Sequence, residues 1–193
     1  MSKLETNTID TVSGTSTLTI GSSNTSTIAF KSGASFTGLG NYVIEKITDY
    51  EYAGNASTTS DTSYIDIAGG NTINFTPTST SDVIILSGFC LLRASVANSG
   101  AGLGIMQSTS SSITSSDTVV MRDGRYGELL GTSYTKGTVE ASVTGLSAGT
   151  TYYFEMFGMA YFGTGITYFN YNGTDTSSNA RHKLIGVHYK YIG

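Results

Sequence analysis

The sequence predicts an all-β protein in which a short-strand N-terminal segment leads into a sandwich or jelly roll that self-associates. Three observations carry that expectation. Thr, Ile, Val, Tyr and Phe, which suit a pleated and half-buried surface, are abundant, and no long Ala/Leu/Glu/Lys stretch of helical period occurs. From Tyr42 onward, roughly eight to ten strand-length segments follow one another with no helix between them. Two of those segments are apolar on both faces, more than a two-layer sandwich covers by itself.

The strands come in order. "NYVIEKITDYEY" alternates, with Tyr42, Ile44, Lys46 and Thr48 on one face and Val43, Glu45, Ile47 and Asp49 on the other. "TSYIDIAGGNTINFTPTS" gives two short strands around a Gly-Gly turn, closed by Pro77. "SDVIILSGFCLLRAS" is a longer strand. "GAGLGIMQSTSSSIT" and "DTVVMRDGRYGELLG" are weaker strands, the second with an Asp-Gly turn at 123–124. "GTVEASVTGLSAGTTYYFEMFGMAYF" is strand, tight turn, strand. "GITYFNYNGTDTS" is aromatic, and "ARHKLIGVHYKYIG" ends the chain as a strand in which Ile185, Val187, Tyr189 and Tyr191 are expected in the core and Leu184, His188 and Lys190 on the other face. In "VIILSGFCLL" Val83, Ile85, Phe89 and Leu91 oppose Ile84, Leu86, Cys90 and Leu92, and "YYFEMFGMAYF" is similarly apolar on both sides. Self-association is the simplest cover for a second apolar face, with Leu86 and Phe157 as the expected contacts.

Residues 1–40 form a separate N-terminal segment, and residues 41–193 the folded domain. Leu18/Ile20 and Ile28/Phe30 repeat at a spacing of about ten among small polar residues. One copy cannot offset the ordering entropy of about 1–2 kcal/mol per residue. Such a segment is either a disordered tail or a three-fold stalk in which Leu18, Ile20, Ile28 and Phe30 of three chains meet at an axis.

Composition excludes several classes. The 193 residues carry a net charge of -4, and only 12% are charged. Nucleic-acid binding is not expected from so acidic a chain. No apolar run approaches the ~20 residues that span a bilayer, so membrane insertion is not expected, and "MSKLETNTID" has no apolar signal core. The single Cys90 lies in an apolar run and is expected to be a buried thiol.

"SYIDIAGGNTINFTPTSTSDVIILSGFCLL", "VTGLSAGTTYYFEMFG" and "RHKLIGVHYKYI" resemble a module of bacteriophage tail-fibre and other virion fibre proteins, especially those of marine phages. "ETNTIDTVSGTSTLTIG" and "IAFKSGASFTG" resemble the repeat that precedes it. The resemblance covers nearly the whole chain, with Gly69–Gly70 standing where a Gly-Leu-like pair is usual. It implies a homotrimeric virion fibre with a C-terminal jelly-roll knob of the C1q/TNF kind. The implied partners are further copies of the chain, phage tail or capsid proteins held by the N-terminal segment, and a host-surface glycan or protein. A head fibre or capsid decoration protein is the variant within that class.

Chemical motifs add little. "GLSAG" matches a nucleophile elbow, but a strand follows it where a hydrolase needs a helix. "VTGLSAGTTYYF" resembles a fibronectin type III corner, where Leu and Tyr pack between strands. "GAGLG" lacks the Lys-Ser/Thr of a phosphate loop and is expected to be a flexible loop. Asp61, Asp66, Asp82 and Asp175 make no calcium loop. His182 and His188 share one face of the last strand, so a metal at a trimer axis is conceivable, although packed or solvated histidines are the simpler reading. No cofactor and no resident metal are expected. A glycan depolymerase would need two carboxylates about 5–10 Å apart, and Glu128 and Glu140 are the candidates only because acids are few; no enzyme is expected. The receptor-binding candidates are Tyr161, Tyr168, Asn170, Tyr171 and Asn172, aromatic and amide groups among glycines.

Overall fold

Cross-strand alternation organises eleven strands among the described residues. The structure is a computed structural model and describes residues 41–59, 63–130, 134–162, 165–170 and 182–192, with the side chains of 98, 123–130 and 162 excepted. The expectations for Leu18, Ile20, Ile28, Phe30, Tyr171 and Asn172 lie outside those residues. In chain order the strands are β1 Tyr42–Tyr52, β2 Ala56–Thr58, β3 Ile65–Asp66, β4 Ile73–Phe75, β5 Val83–Ala94, β6 Ala97–Ser108, β7 Thr118–Leu130, β8 Thr135–Val143, β9 Tyr152–Phe162, β10 Thr167–Phe169 and β11 His182–Tyr191. No helix occurs among them.

Two antiparallel sheets face each other. The first runs β1-β11-β5-β8, with β10 and β2 continuing beyond the end of β11. The second runs β4-β9-β6-β7, with β3 also on β9. Numbering the principal strands β1, β4, β5, β6, β7, β8, β9 and β11 from one to eight, the sheets read 1-8-3-6 and 2-7-4-5. That order is a jelly roll, as the sequence predicts.

The core lies between the sheets. Ile84, Leu86, Cys90, Leu92 and Ala94 of β5 are 0–1% exposed and meet Leu103 and Ile105 of β6 and Phe154 and Met156 of β9. On β11 the buried residues are His182, Leu184, Gly186 and His188, while Ile185, Val187 and Tyr189 face outward. This reverses the parity expected from sequence: the outward face carries the stronger apolar residues, and the inward face carries two histidines that are buried because Ile67, Tyr50 and Asp82 satisfy their ring nitrogens, so alternation pointed to the wrong face. The β1 alternation is also corrected. A β-bulge between Ile44 and Lys46 shifts the register, placing Ile44 opposite Tyr189 and Ile47 opposite Val187, so both isoleucines share one face.

Two loop expectations fall to the same physics. "GAGLG" lies within β6, in the middle of a sheet. A side chain at Gly102 would come within 2.9 Å of Met159, and one at Gly104 within 3.2 Å of Tyr64, so glycine there admits close neighbours rather than flexibility. Asp123–Gly124 is no turn either. β7 runs straight through it, and the register against β6 shifts between Ala101 and Leu103.

The second sheet covers its own outer face. Phe157 (1% exposed) packs with Met106 and Ile113, and Tyr64, Val119 and Tyr153 close around them. Leu86 is 0% exposed in the main core. Neither residue can reach another chain, so the expectation that Leu86 and Phe157 form an intermolecular contact is corrected. Among the described residues, the exposed apolar side chains gather on the other parity of the first sheet.

Candidate functional site

Cross-strand register arranges the outer face of the β1-β11-β5-β8 sheet in rows, because directly paired residues project to the same side. At one end the rows are Ile44–Tyr189–Val83 and Ile47–Val187–Ile85–Ser142. Next come Asp49–Ile185–Ser87–Glu140 and Glu51–Lys183–Phe89–Thr138. At the far end Leu91 pairs with Lys136, and Arg93 pairs with Tyr168. The face is therefore apolar at one end, acidic across the middle and basic-aromatic at the other.

Exposure sharpens this polarity. Nine large apolar or aromatic residues are exposed among the described residues, and five of them, Tyr42, Ile44, Ile47, Ile85 and Ile185, lie on this face on β1 or in the rows beside it, while Val43, paired with Lys190, lies on the other side of β1. Ile47 is 62% exposed and Ile44 57%. In the middle rows Lys183 Nζ lies 2.9 Å from both the Asp49 and Glu51 carboxylates, and its hydrogen bonds to them raise its pKa. At the far end the Arg93 guanidinium sits 5.8 Å from the Tyr134 ring and 6.0 Å from that of Tyr168. Lys136 Nζ sits 4.4 Å from the Phe89 ring.

Of the receptor-binding candidates, Tyr161 and Tyr168 are half-buried. Asn170 is not a surface residue. It is 0% exposed, with a left-handed backbone (φ 60°), a conformation Asn tolerates better than most residues. Its Nδ2 donates to the Ile67 carbonyl at 2.9 Å, and its Oδ1 accepts from Cys90 Sγ at 3.0 Å. Cys90 is buried as expected, and burial pushes its thiol up to about 12.

The two histidines share a face, as the sequence implies, but that face is the core. The His182 ring lies 3.1 Å from the Ile67 carbonyl through Nδ1 and 3.1 Å from the Tyr50 hydroxyl through Nε2. A carbonyl only accepts, so Nδ1 carries the proton and Nε2 accepts from Tyr50. Burial lowers the His182 pKa to about 4. His188 Nε2 lies 3.0 Å from the buried Asp82 carboxylate. Both rings are enclosed in their own chain, which removes them from any inter-chain metal. Glu140 is exposed on β8, with Ser87 donating to it at 3.4 Å, and the Glu128 side chain lies outside the described residues.

Asp82 organises the end of the sandwich where the three segments of the family resemblance converge, a residue whose role the sequence did not reveal. Its carboxylate accepts from the amides of Thr78 (2.7 Å), Ser79 (3.3 Å) and Tyr191 (2.9 Å) as well as from His188. The Gly149 amide donates to the Pro77 carbonyl at 2.8 Å, joining the "GLSAG" turn to the "FTPTS" turn. Gly145 and Gly149 adopt φ of 72° and 77°, so that segment is a turn with no helix behind it. Leu146 packs into the core and the Tyr152 hydroxyl accepts from the Ser147 amide at 3.1 Å, the corner geometry expected from sequence.

Among the described carboxylic acids Glu155 is the one whose pKa is strongly raised. Burial first, then the adjacent Asp66 carboxyl, raises its pKa to about 9. The folded state therefore holds a proton that the unfolded chain releases near its ordinary value of 4.5. Its favourable contribution is complete below that value and is lost as pH rises toward about 9. Glu155→Gln should raise the melting temperature at pH 8 and widen its advantage over wild type with rising pH. An advantage independent of pH would contradict the protonated state.

No protein-family model matches the sequence, and no curated protein matches it. Among solved structures, a chain of the infectious bursal disease virus Gx strain covers 77% of this chain at 12% identity, with a TM-score of 0.39. The Gt strain of that virus covers 77% at 13% identity and 0.33. A mutant VP2 protein of the same virus, in derived T=1 particles, covers 78% at 15% identity and 0.31. This chain spans only 37–38% of the length of those chains, and similarity at such TM-scores carries nothing about function.

Proposed function

We propose that the protein is a structural component of a bacteriophage particle, in which three copies pack through the apolar end of the outer sheet face and present the jelly roll to the host surface. The observation that carries this reading is the concentration of exposed Tyr42, Ile44, Ile47, Ile85 and Ile185 on the outer face at and beside β1. Water-exposed apolar residues gathered on one face mark an interaction surface. Closed packing of identical chains covers such a face without a second gene product. The resemblance of three sequence segments to phage fibre knobs supports the same reading, and those segments meet around Asp82.

In this reading residues 1–40 attach the knob to a tail or capsid protein. An antibody raised against residues 41–193 should then decorate intact particles in electron micrographs. Removing residues 1–40 should leave a folded jelly roll by circular dichroism and abolish its incorporation into particles. Undecorated particles would contradict a virion role, and normal incorporation of the truncated chain would move attachment into the jelly roll.

A further inference from the structure

We propose that the buried bridge of Tyr50, His182 and the Ile67 carbonyl is an acid-sensitive latch between the two sheets, which holds while the His182 ring is neutral and opens as that ring takes up a proton. The latch lies within one chain and does not depend on how copies associate. It sits where β9 changes partner. The ladder to β3 ends at Asp66–Phe157, and the ladder to β4 begins at Ile73–Phe154. In the gap between them the Met156 amide donates to the Tyr50 hydroxyl at 3.1 Å, a side chain that reaches over from β1 of the other sheet. That hydroxyl donates to His182 Nε2 at 3.1 Å, and His182 Nδ1 donates to the Ile67 carbonyl at 3.1 Å. One relay thus ties β1 and β11 of the first sheet to β9 and the segment after β3 of the second.

The relay holds for one protonation state only. Both ring nitrogens are committed, Nδ1 as donor and Nε2 as acceptor. A second ring proton would sit on Nε2 and point at the Tyr50 oxygen. The Tyr50 proton would then need a new acceptor, and Tyr50 makes no other hydrogen bond among the described residues. Because His182 is 0% exposed, protonation leaves a buried charge beside a stranded hydroxyl. The surroundings do not compensate. Tyr52 of β1 and Cys90 of β5 are the cross-strand partners of His182, and neither a phenol nor a thiol neutralises a cation in acid. Asn170, which follows β10, brings only an amide, 3.5 Å from Nδ1. Glu155 of β9 keeps its own proton in this range. Burial outweighs the Ile67 carbonyl and the Asp66 carboxylate of β3, which favour the charged ring, and leaves its pKa at about 4 against the ordinary 6.5. The unfolded chain therefore takes up a proton that the closed latch refuses. The latch's contribution is complete above 6.5 and is lost as pH falls toward about 4.

Amide hydrogen exchange of the full-length protein, followed at Met156 from pH 7.5 to pH 4.5, tests the latch, with His182→Gln measured alongside. Glutamine can donate to one neighbour and accept from the other, but it gains no charge in acid. Protection of Met156 in wild type should fall about tenfold or more relative to the variant across this range. Glu155 is common to both proteins and cancels in the ratio, and the contribution of Asp82 is complete above 3.8. A ratio independent of pH overturns the proposal. Tyr50→Phe should lower Met156 protection already at pH 7.5, and unchanged protection there would mean that the hydroxyl holds nothing. Should His182→Gln not fold, nuclear magnetic resonance of the His182 ring in wild type carries the same test. The ring should stay neutral at pH 5.5 while Met156 protection falls. A ring already charged at pH 5.5, or Met156 protection constant down to pH 4.5, overturns the latch.

Discussion

Leu184→Asp should yield no soluble folded protein, whereas Ile185→Asp, one residue along the same strand, should fold. Leu184 is 0% exposed between the sheets, so the substitution leaves an unpaired charge in the core, a change that costs several kcal/mol. Ile185 is 37% exposed on the outer face beside Asp49 and Ser87, where a carboxylate stays hydrated. Soluble expression and the far-ultraviolet circular dichroism spectrum read the outcome. Equal loss of both variants would mean that β11 is covered on both faces even in the isolated domain.

Asp82→Ala should be the most damaging polar substitution, costing about 3–5 kcal/mol, because it strands the buried His188 ring and removes the acceptor of three part-buried backbone amides. Urea unfolding measures it through the midpoint at constant slope. The same carboxylate gives the protein an acid limit. Burial alone would raise its pKa, but hydrogen bonds from the Tyr191 and Thr78 amides, His188 and the Ser79 amide hold it at about 2, below the ordinary 3.8. Its contribution is therefore complete above the ordinary value and is lost as pH falls toward about 2. Wild type should lose stability across that acid window more steeply than Asp82→Ala. Parallel curves would mean that Asp82 is not ionised in its pocket.

The class of the fold was legible because Thr/Ile/Val-rich segments punctuated by Gly and Ser leave little alternative to strands. Facing was not. In β5 both parities are apolar, and in β11 the buried parity is the more polar one, so the residues that decide the facing, Cys90, Gly88, Gly186 and the Asp82–His188 pair, declare themselves only when the second sheet is in place. The β1 bulge hid the shared face of Ile44 and Ile47, since a single extra residue inverts the alternation beyond it. Asn170 looked like an exposed amide beside aromatics. Its true partners, Ile67 and Cys90, stand 103 and 80 residues away in sequence, and no local pattern carries a contact of that range. The corner at Leu146 and Tyr152 was readable because its contacts are local. The need for a cover on the doubly apolar strands was readable too, although Ile113 and Tyr64 supply that cover for β6 and β9 from within the chain.

The central claim is that Ile44, Ile47, Ile85 and their neighbours are covered by other copies of the same chain. Static light scattering on the full-length protein at micromolar concentration tests it most directly, with the double variant Ile47→Asp, Ile85→Asp measured alongside. Wild type should give three times the chain mass of 20.2 kDa, and the variant a folded species of one chain mass. A wild-type monomer, or a variant that remains trimeric, would contradict the assignment of this face to self-association.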